Sequence, residues 1–239
     1  MSNTEAAIVE PVLGLASNDE ERRQQYIGRG WWASIPLTIV AAHQLTEGQM
    51  RLDAGFYAEG VAAALRVVED CKLEVKPLSE VVKEVFILGR FRRVYATDKN
   101  AGWPYLSASE ALEFRPSSER WIAREHAPRH KKRHFAEPGW LLVSASGTVG
   151  RVAFATERLS KYFLTHDLLR IAPSASVLSG YLYAYLSTWI GQALIAKDQY
   201  GSAIKHLEPH HLSKVPIPVL PENRSEERRV GKECLRLCR

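Results

Sequence analysis

The chain has 239 residues, of which 46% are hydrophobic and 25% charged, and its formal net charge is +5. This composition suits one globular domain, and it excludes intrinsic disorder, collagen and coiled-coil fibre as descriptions of the whole chain. A chain of this length can bury about 70% of its unfolded surface, so it requires neither disulfides nor a structural metal for stability.

The N-terminal part of the chain contains one clear helical pattern. Residues 46–71 place Val61, Leu65 and Val68 at three- and four-residue spacing, with polar residues on the other faces. This spacing predicts a helix that packs against the core. Residues 1–45 combine a polar opening with an apolar run, and we assign them no role.

The next pattern predicts a strand that carries basic side chains. Residues 77–95 begin with apolar residues at helical spacing and continue into ILGRFRRVY. This predicts a short helix and then a strand that is broken at Gly89. Residues 99–114 contain a glycine, a proline and small polar residues, so we expect a loop that carries Trp103 and Tyr105.

The clearest β pattern lies in residues 139–154, where two apolar runs flank a Ser-Gly-Thr turn. It predicts a hairpin in which Gly147 adopts a positive φ. The remaining predicted elements are a strand at 166–172, a helix at 178–197, a loop at 198–206 and a proline-containing segment at 211–221. Strands mixed irregularly with helices indicate an α+β fold, here a single domain with a mixed or antiparallel twisted sheet and flanking helices.

The positive charge is concentrated in two internal stretches. Residues 83–99 carry a net charge of +3 and residues 115–134 a net charge of +5, while the tail at 224–239 adds a further +3. The first basic island is Arg90, Arg92 and Arg93, and the second basic island is Lys131, Lys132 and Arg133. Both islands remain when the tail is set aside, which favours nucleic acid as a partner.

The number of cysteines and the sequence of the N-terminus indicate in which cellular compartment the protein is expected. Only Cys71 lies in the body of the chain, so no disulfide framework or zinc pattern is expected. The N-terminus has no basic region before an apolar stretch, so we expect no secretory signal and a cytoplasmic location. Residues 171–196 carry no formal charge, but their serines, proline and glycines favour a buried helix over a membrane span, so no membrane partner is expected.

Two motifs have alternative interpretations as ligand sites. His126, His130 and His134 recur every fourth residue, but Pro128 would interrupt a helix and the neighbouring cations would repel a metal. We therefore favour a basic loop that binds phosphates, and expect no metal. Residues 146–150 lack the pattern of a nucleotide-binding loop, and we interpret them as a turn that offers N–H groups and hydroxyls to a nucleic-acid backbone.

Motifs of nucleophilic, metal-dependent and dinucleotide-dependent enzymes are missing from the sequence, so we expect neither catalysis nor a cofactor. Seven blocks of the chain instead resemble the DNA-specificity subunit of type I restriction-modification systems, over roughly residues 51–220. These blocks are RLDAGFY at 51–57, GRFRRVY at 89–95, PYL at 104–106, GWLLVSASGTVG at 139–150, GYLYAYL at 180–186, YGS at 200–202 and LSKVPIP at 212–218.

The resemblance implies a non-catalytic target recognition domain that reads a few base pairs of double-stranded DNA. It also implies two protein partners, a methyltransferase (M) subunit and a restriction/translocase (R) subunit. Arginine can bond guanine bidentately, whereas lysine, serine and backbone amides anchor phosphates. The candidate DNA-binding residues are Arg90, Arg92, Arg93, Lys131, Lys132, Arg133, Ser146, Thr148, Tyr200, Ser202, Lys205 and His206.

The chain also departs from the family pattern. Such subunits usually contain two recognition domains separated by long helices, and this chain has room for one. RSEERRVGKEC at residues 224–234 resembles the translation of a sequencing-library adapter, so we expect the authentic chain to leave this sequence near Asn223. The expected organisation is an extension at 1–45, the recognition domain at 46–221 and a non-native tail at 222–239.

Two alternatives stay open at this stage. One is the recognition part of a fused restriction-methylation enzyme whose catalytic domain lies outside this sequence. The other is a protein-interaction scaffold that uses aromatic side chains at residues 103–105 and 181–189.

Overall fold

The computed structural model describes residues 55–174, 177–201 and 204–220. The chain divides into two compact units, Met1–Glu59 and Gly60–Arg239, and almost all described residues belong to the second. The predicted extension at 1–45 and the predicted tail at 222–239 lie outside the described residues. The domain bounds therefore stay predictions.

Short helices and short strands alternate irregularly along the described chain, which confirms the α+β prediction. The helices are α1 (Glu59–Glu69), α2 (Leu78–Val81), α3 (Ala108–Ala111), α4 (Ser179–Ser187), α5 (Trp189–Lys197) and α6 (Pro209–Ser213). The strands are β1 (Glu74–Pro77), β2 (Val82–Phe86), β3 (Gly102–Leu106), β4 (Trp121–Ala123), β5 (Leu141–Ser144), β6 (Val152–Phe154), β7 (Phe163–Leu164), β8 (Leu168–Pro173) and β9 (Pro216–Val219). Single 3-10 turns lie at Lys99–Ala101, Arg124–His126, Lys131–His134 and Leu159–Lys161.

The strands form three small sheets. A four-stranded antiparallel sheet has the order β2-β8-β5-β6, and β1 pairs with β9 in an antiparallel ribbon. A three-stranded sheet has the order β4-β3-β7, in which β3 pairs antiparallel with β4 and parallel with β7. The mixed pairing agrees with the predicted sheet type.

Strand β5 is buried on both faces and separates two apolar clusters. Because side chains alternate along a strand, Leu141 and Val143 belong to the first apolar cluster and Leu142 belongs to the second. The first apolar cluster also contains buried residues of α1, α4 and α5. A third, aromatic cluster is built on Tyr105, Ile122 and Phe163, with Phe91, Trp103 and Phe135 packed against it.

The hairpin at residues 139–154 is confirmed as β5 and β6, with Leu141 opposite Phe154. Gly147 has φ 77°, as the turn chemistry predicts. The predicted strand at 166–172 corresponds to β8. The short helix predicted after Pro77 is present only as α2, and the strand that follows it, β2, lies at Val82–Phe86, within the residues predicted to be helical.

Three sequence predictions were wrong in ways that matter for the site. Residues 87–94 contain no strand, and only Tyr95 makes an isolated bridge, to Ile122. A strand would have placed Arg90 and Arg92 on one face and Arg93 and Tyr95 on the other, and this alternation is therefore absent. The physical reason is Phe91, which packs into the aromatic cluster and draws the chain away from a sheet.

The predicted loop at 99–114 contains β3 and α3, because Tyr105 and Leu106 are buried and pair with neighbouring strands. The single helix predicted at 178–197 is instead two helices. Thr188 ends α4 and caps α5, since its hydroxyl accepts a hydrogen bond from the Gly191 N–H at 3.2 Å. None of the helices in the described residues has the length and apolar character needed to cross a membrane.

Two helical glycines give a matched test of the close approach between α4 and α5. A Cβ on Gly191 would lie 2.3 Å from the Tyr185 carbonyl oxygen and 2.6 Å from the Leu186 Cα, whereas a Cβ on Gly180 would meet nothing within 4 Å. We expect Gly191→Ala to lower the free energy of unfolding by about 1–3 kcal/mol through overpacking. Gly180→Ala should be neutral or slightly stabilising, because alanine favours a helix. Urea denaturation of both variants checks this, and equal effects would contradict the close packing.

Candidate nucleic-acid interface

A contact between two aromatic rings brings the two basic islands together. The Phe91 ring centroid lies 4.9 Å from that of His134 and 5.6 Å from that of Phe163. The His134 imidazole stacks on Phe163 with 4.4 Å between centroids. Because Phe91 lies within the first basic island and His134 directly follows the second, this packing holds the islands next to each other.

Two of the six island arginines and lysines are paired with carboxylates. The Arg93 Nη2 donates to Asp167 Oδ2 at 2.9 Å and to the Thr165 hydroxyl at 3.3 Å. The Arg133 Nη2 lies 2.6 Å from both carboxylate oxygens of Glu84, and its guanidinium lies 3.8 Å from the Phe86 ring centroid. These two arginines are therefore oriented by protein groups.

The other four island cations are exposed and have no carboxylate partner in the part of the chain that the structure describes. They are Arg90, Arg92, Lys131 and Lys132. The Lys131 Nζ lies 5.7 Å from the centroid of the Trp103 ring. Because no acidic side chain within residues 55–174, 177–201 and 204–220 pairs with them, these four cations are available to an external anion.

The hairpin turn and the loop after α5 also meet. Ser146 bridges to His206, and the Gly147 N–H donates to the Lys205 carbonyl oxygen at 3.2 Å. Tyr200 and His206 exchange backbone hydrogen bonds of 3.1 and 2.8 Å. These pairings gather five predicted residues at one place, namely Ser146, Thr148, Tyr200, Lys205 and His206. Ser202, also predicted, lies outside the described residues.

Side chains behind the turn hold its shape. The Ser144 hydroxyl donates to the Thr148 carbonyl oxygen at 2.5 Å and accepts from the Arg151 N–H at 2.9 Å. The Tyr200 hydroxyl donates to Glu208 Oε1 at 2.7 Å, and this hydrogen bond raises the pKa of Tyr200. Intramolecular hydrogen bonds thus stabilise the turn, while Thr148 is exposed to solvent.

Ala145 connects the turn and loop to the first basic island. Its N–H donates to the Asp167 carbonyl oxygen at 3.1 Å, and its carbonyl oxygen accepts from the Leu207 N–H at 2.9 Å. Since the Asp167 carboxylate holds Arg93, a continuous path of direct contacts runs from that arginine to the turn and the loop. Among the described residues, these contacts link Arg93 of the first basic island to the turn and the loop.

A buried arginine supports this region from the core. Arg170 is fully buried on β8, and its Nη1 and Nη2 donate to the carbonyl oxygens of Leu168 and Thr165 at 2.8 and 2.9 Å. Burial, with a smaller contribution from the charge of Arg133, lowers the pKa of Arg170 to about 9, so the group remains charged at neutral pH. Arg170 thereby connects the residues on either side of Asp167 through hydrogen bonds.

The three histidines considered as a metal set do not act together. His134 is buried, and its Nδ1 lies 2.9 Å from the Leu164 carbonyl oxygen. His126 is exposed, and its Nε2 lies 3.2 Å from Glu125 Oε1. Over residues 55–174, 177–201 and 204–220, no group of three or more histidines, cysteines and acids could hold a metal ion.

The aromatic side chains of the predicted scaffold surface are divided between the interior and the surface, where Tyr183 and Trp189 are exposed. Tyr105 is fully buried, and the Trp103 ring stacks on Phe163 with centroids 5.8 Å apart. The Tyr185 hydroxyl donates to the Pro216 carbonyl oxygen at 2.8 Å. Trp103 and Tyr105 therefore form no aromatic surface of the kind the scaffold alternative requires.

Sequence reasoning missed four polar residues of this region. Asp167 and Arg170 were missed because their roles depend on contacts with side chains distant in sequence. Lys99 precedes β3, which lies within the predicted loop, and Arg124 follows β4, and each of the two lies near a tryptophan ring. The signal that could have found them is the close spacing of basic residues and tryptophans at 99–103 and 121–124.

Comparisons with known proteins identify the family and the fold of the chain. The family model described as "Type I restriction modification DNA specificity domain" matches residues 74–227. A chain from a structure of a type I R-M system, studied for complex assembly and conformational transition, has 19% sequence identity and a TM-score of 0.51. The HsdS subunit from Thermoanaerobacter tengcongensis has 17% identity and a TM-score of 0.48.

The chain spans about half the length of these solved structures. The first match covers 82% of this chain and 48% of the other, and the second covers 77% and 45%. At these identities the first match supports the fold alone. A comparison with curated protein sequences found no match.

Proposed function

The chain belongs to the family of type I restriction modification DNA specificity domains, and from this premise we propose that it recognises double-stranded DNA for a type I restriction-modification system. In this proposal it has no catalysis and no cofactor of its own. It directs a methyltransferase (M) subunit and a restriction/translocase (R) subunit to their target site in the cytoplasm.

One observation carries the proposal: the contact of Phe91 with His134 places two basic islands side by side, with four exposed cations that no carboxylate of the described residues neutralises. A small anionic substrate needs one enclosed site, whereas a row of exposed cations on neighbouring loops suits an extended polyanion. Duplex DNA presents a phosphate charge about every 1.7 Å along its axis, so several such cations can be engaged together.

The paired and unpaired cations suit different tasks in this proposal. Arg90, Arg92, Lys131 and Lys132 are free to follow the phosphate backbone, where position matters less than charge. Arg93 and Arg133 are oriented by carboxylates, and an oriented guanidinium loses less conformational entropy when it bonds a base edge. The exposed turn at 146–148 adds N–H groups and hydroxyls of the kind that anchor a backbone.

Salt-dependent binding of the full chain to duplex DNA tests the proposal. With at least about four phosphate contacts, the logarithm of the binding constant should fall against log salt with a slope of about −3.6, which is a loss of about 150-fold between 50 and 200 mM. Fluorescence anisotropy with labelled duplexes measures this slope.

The basic tail requires its own control in that experiment. A variant with Arg224, Arg228 and Arg229 changed to glutamine should retain most of the slope, because the proposed contacts lie in the described domain. Binding that is independent of salt, or that disappears with the tail charges, would contradict the proposal.

A further inference from the structure

We propose that Arg93 reads a guanine of the DNA target, and that Asp167 and Thr165 are positioning residues that fix its guanidinium for this task. The inference rests on the proposed function and deepens it, because it separates one base-reading residue from the cations that bind phosphates. The contacts of this guanidinium, the anchoring of Asp167 and the contrast with Arg133 support it.

The Arg93 guanidinium has three contacts within the protein. Its Nη2 donates to Asp167 Oδ2 at 2.9 Å and to the Thr165 hydroxyl at 3.3 Å, and its Cζ lies 5.9 Å from the centroid of the Tyr105 ring. Thr165 and Tyr105 are fully buried, so two of the three partners belong to the closely packed interior. These contacts restrict the side chain before any ligand binds.

Asp167 is itself fixed by its neighbours. Its Oδ2 accepts a hydrogen bond from the Thr165 hydroxyl at 3.0 Å, and its Oδ1 lies 3.3 Å from His166 Nε2. Its backbone carbonyl oxygen accepts from the Ala145 N–H at 3.1 Å. The carboxylate therefore has a defined position from which it orients Arg93.

The hydrogen bonds within the protein use only one of the three guanidinium nitrogens of Arg93. A guanidinium carries five N–H donors, and within residues 55–174, 177–201 and 204–220 the Nε and Nη1 groups have no partner. The side chain is 39% exposed, so these donors are accessible to an external ligand. The major-groove edge of guanine presents two acceptors, O6 and N7, and it is the base edge that arginine bonds most often.

Arg133 also pairs with a carboxylate, but it is oriented less firmly. Glu84 is exposed, and among the described residues its carboxylate makes no hydrogen bond or ion pair other than those with Arg133. Arg90 and Arg92 have no carboxylate partner in that part of the chain. Of the island arginines, Arg93 is therefore the one whose direction the protein determines most completely, and base reading requires direction where phosphate binding requires charge.

Arg93→Lys in the full chain tests the base-reading role, because it keeps the charge and removes the planar set of donors. The sequences that the parent chain prefers are first selected from a library of random duplexes, and affinity is then measured with each base pair replaced in turn. We expect the parent to prefer guanine at one position by about tenfold or more, and the variant by about twofold or less at that position alone. The salt slope should stay the same.

Two neutral replacements of Asp167 test the positioning role. Asp167→Ala removes the acceptor of Arg93, whereas Asp167→Asn removes the same charge and keeps an oxygen acceptor. We expect Asp167→Ala to reduce the guanine preference to about twofold, and Asp167→Asn to keep about fivefold. Unrelated duplexes should bind both variants at least as tightly as the parent, because a negative charge is removed. Thermal unfolding of each variant reports whether the fold is intact.

Glu125→Ala is the matched control for the loss of an acid. Glu125 is exposed, and in the described part of the chain its side chain pairs with His126 and with no arginine. We expect this control to keep the guanine preference of the parent. Thr165→Ser should also keep it, because the hydroxyl remains, whereas Thr165→Val should weaken it.

Several outcomes would overturn the inference separately from the proposed function. If Arg93→Lys kept the guanine preference, or lost a preference for another base, Arg93 would not read guanine. If Asp167→Ala kept the preference, or if Asp167→Asn and Glu125→Ala lost it equally, Asp167 would not position Arg93. A parent chain that bound DNA with the expected salt slope but without sequence preference would overturn the inference and leave DNA binding intact. A parent chain that bound no DNA would refute both proposals.

Discussion

Changing Arg90, Arg92, Lys131 and Lys132 together to glutamine should lower the affinity for duplex DNA by about 100-fold near 100 mM salt. Each lost phosphate contact removes about 0.9 from the salt slope, so the slope should become less steep by about 3–4. The loss should be similar for unrelated duplexes, because no acid in the described part of the chain orients these side chains, which contribute charge rather than direction.

The stability of this variant should change little, since surface substitutions away from packed contacts usually stay within about 0.5 kcal/mol. Arg66→Gln/Lys72→Gln/Lys214→Gln provides a control that also removes exposed positive charge but lies away from the aromatic cluster. If the control lost as much affinity per charge as the island variant, binding would reflect net charge alone and the proposed surface would be refuted.

Acidification from pH 7 to pH 4 should lower the free energy of unfolding by about 3 kcal/mol through the protonation of His134 alone. Burial lowers the pKa of His134 to about 4 from an ordinary value of 6.5, with Arg170 and His166 acting in the same direction and the Leu164 carbonyl oxygen opposing. Between pH 6.5 and pH 4, His134 is therefore mostly protonated in the unfolded chain and mostly neutral in the folded chain. This contribution is complete above pH 6.5 and is lost as pH falls towards 4.

His134→Phe isolates this effect, because the variant keeps a ring on Phe163 but cannot titrate. At pH 7 it should be less stable than the parent chain, since the hydrogen bond between His134 and the Leu164 carbonyl oxygen is missing. The difference should shrink or change sign as the pH approaches 4. Urea denaturation at pH 7, 5.5 and 4 measures it, and parallel stability curves for the two proteins would count against a buried neutral imidazole.

The sequence predicts local elements well where local chemistry determines them. The β5–β6 hairpin follows from two apolar runs and a glycine that tolerates positive φ, and the structure has both. The strand expected at 90–95 and the loop expected at 99–114 failed for a common reason. Phe91 and Tyr105 both pack in the aromatic cluster, and the partners in that cluster are distant in sequence.

The features of the candidate site, like those of the fold, can be predicted from the sequence only where they depend on neighbouring residues. The clustering of basic residues along the chain predicts which side chains are candidates for binding an anion, since each island is a short stretch of sequence. Which arginines are paired depends on Asp167 and Glu84, which lie 74 and 49 residues from their partners. A fully buried Arg170 runs against the usual preference of arginine for the surface, so composition and pattern would place it in solvent.

The unpaired island cations lie on segments 87–94 and 129–134, which are anchored mainly by Phe91 and His134 and belong to no sheet. Their side chains can therefore be exchanged at little cost to the scaffold, provided that the two anchoring rings are kept. A change in how strongly such a module binds a polyanion, by evolution or by loop grafting, would then amount to replacing those surface side chains while β5, β8 and the aromatic cluster stay as they are.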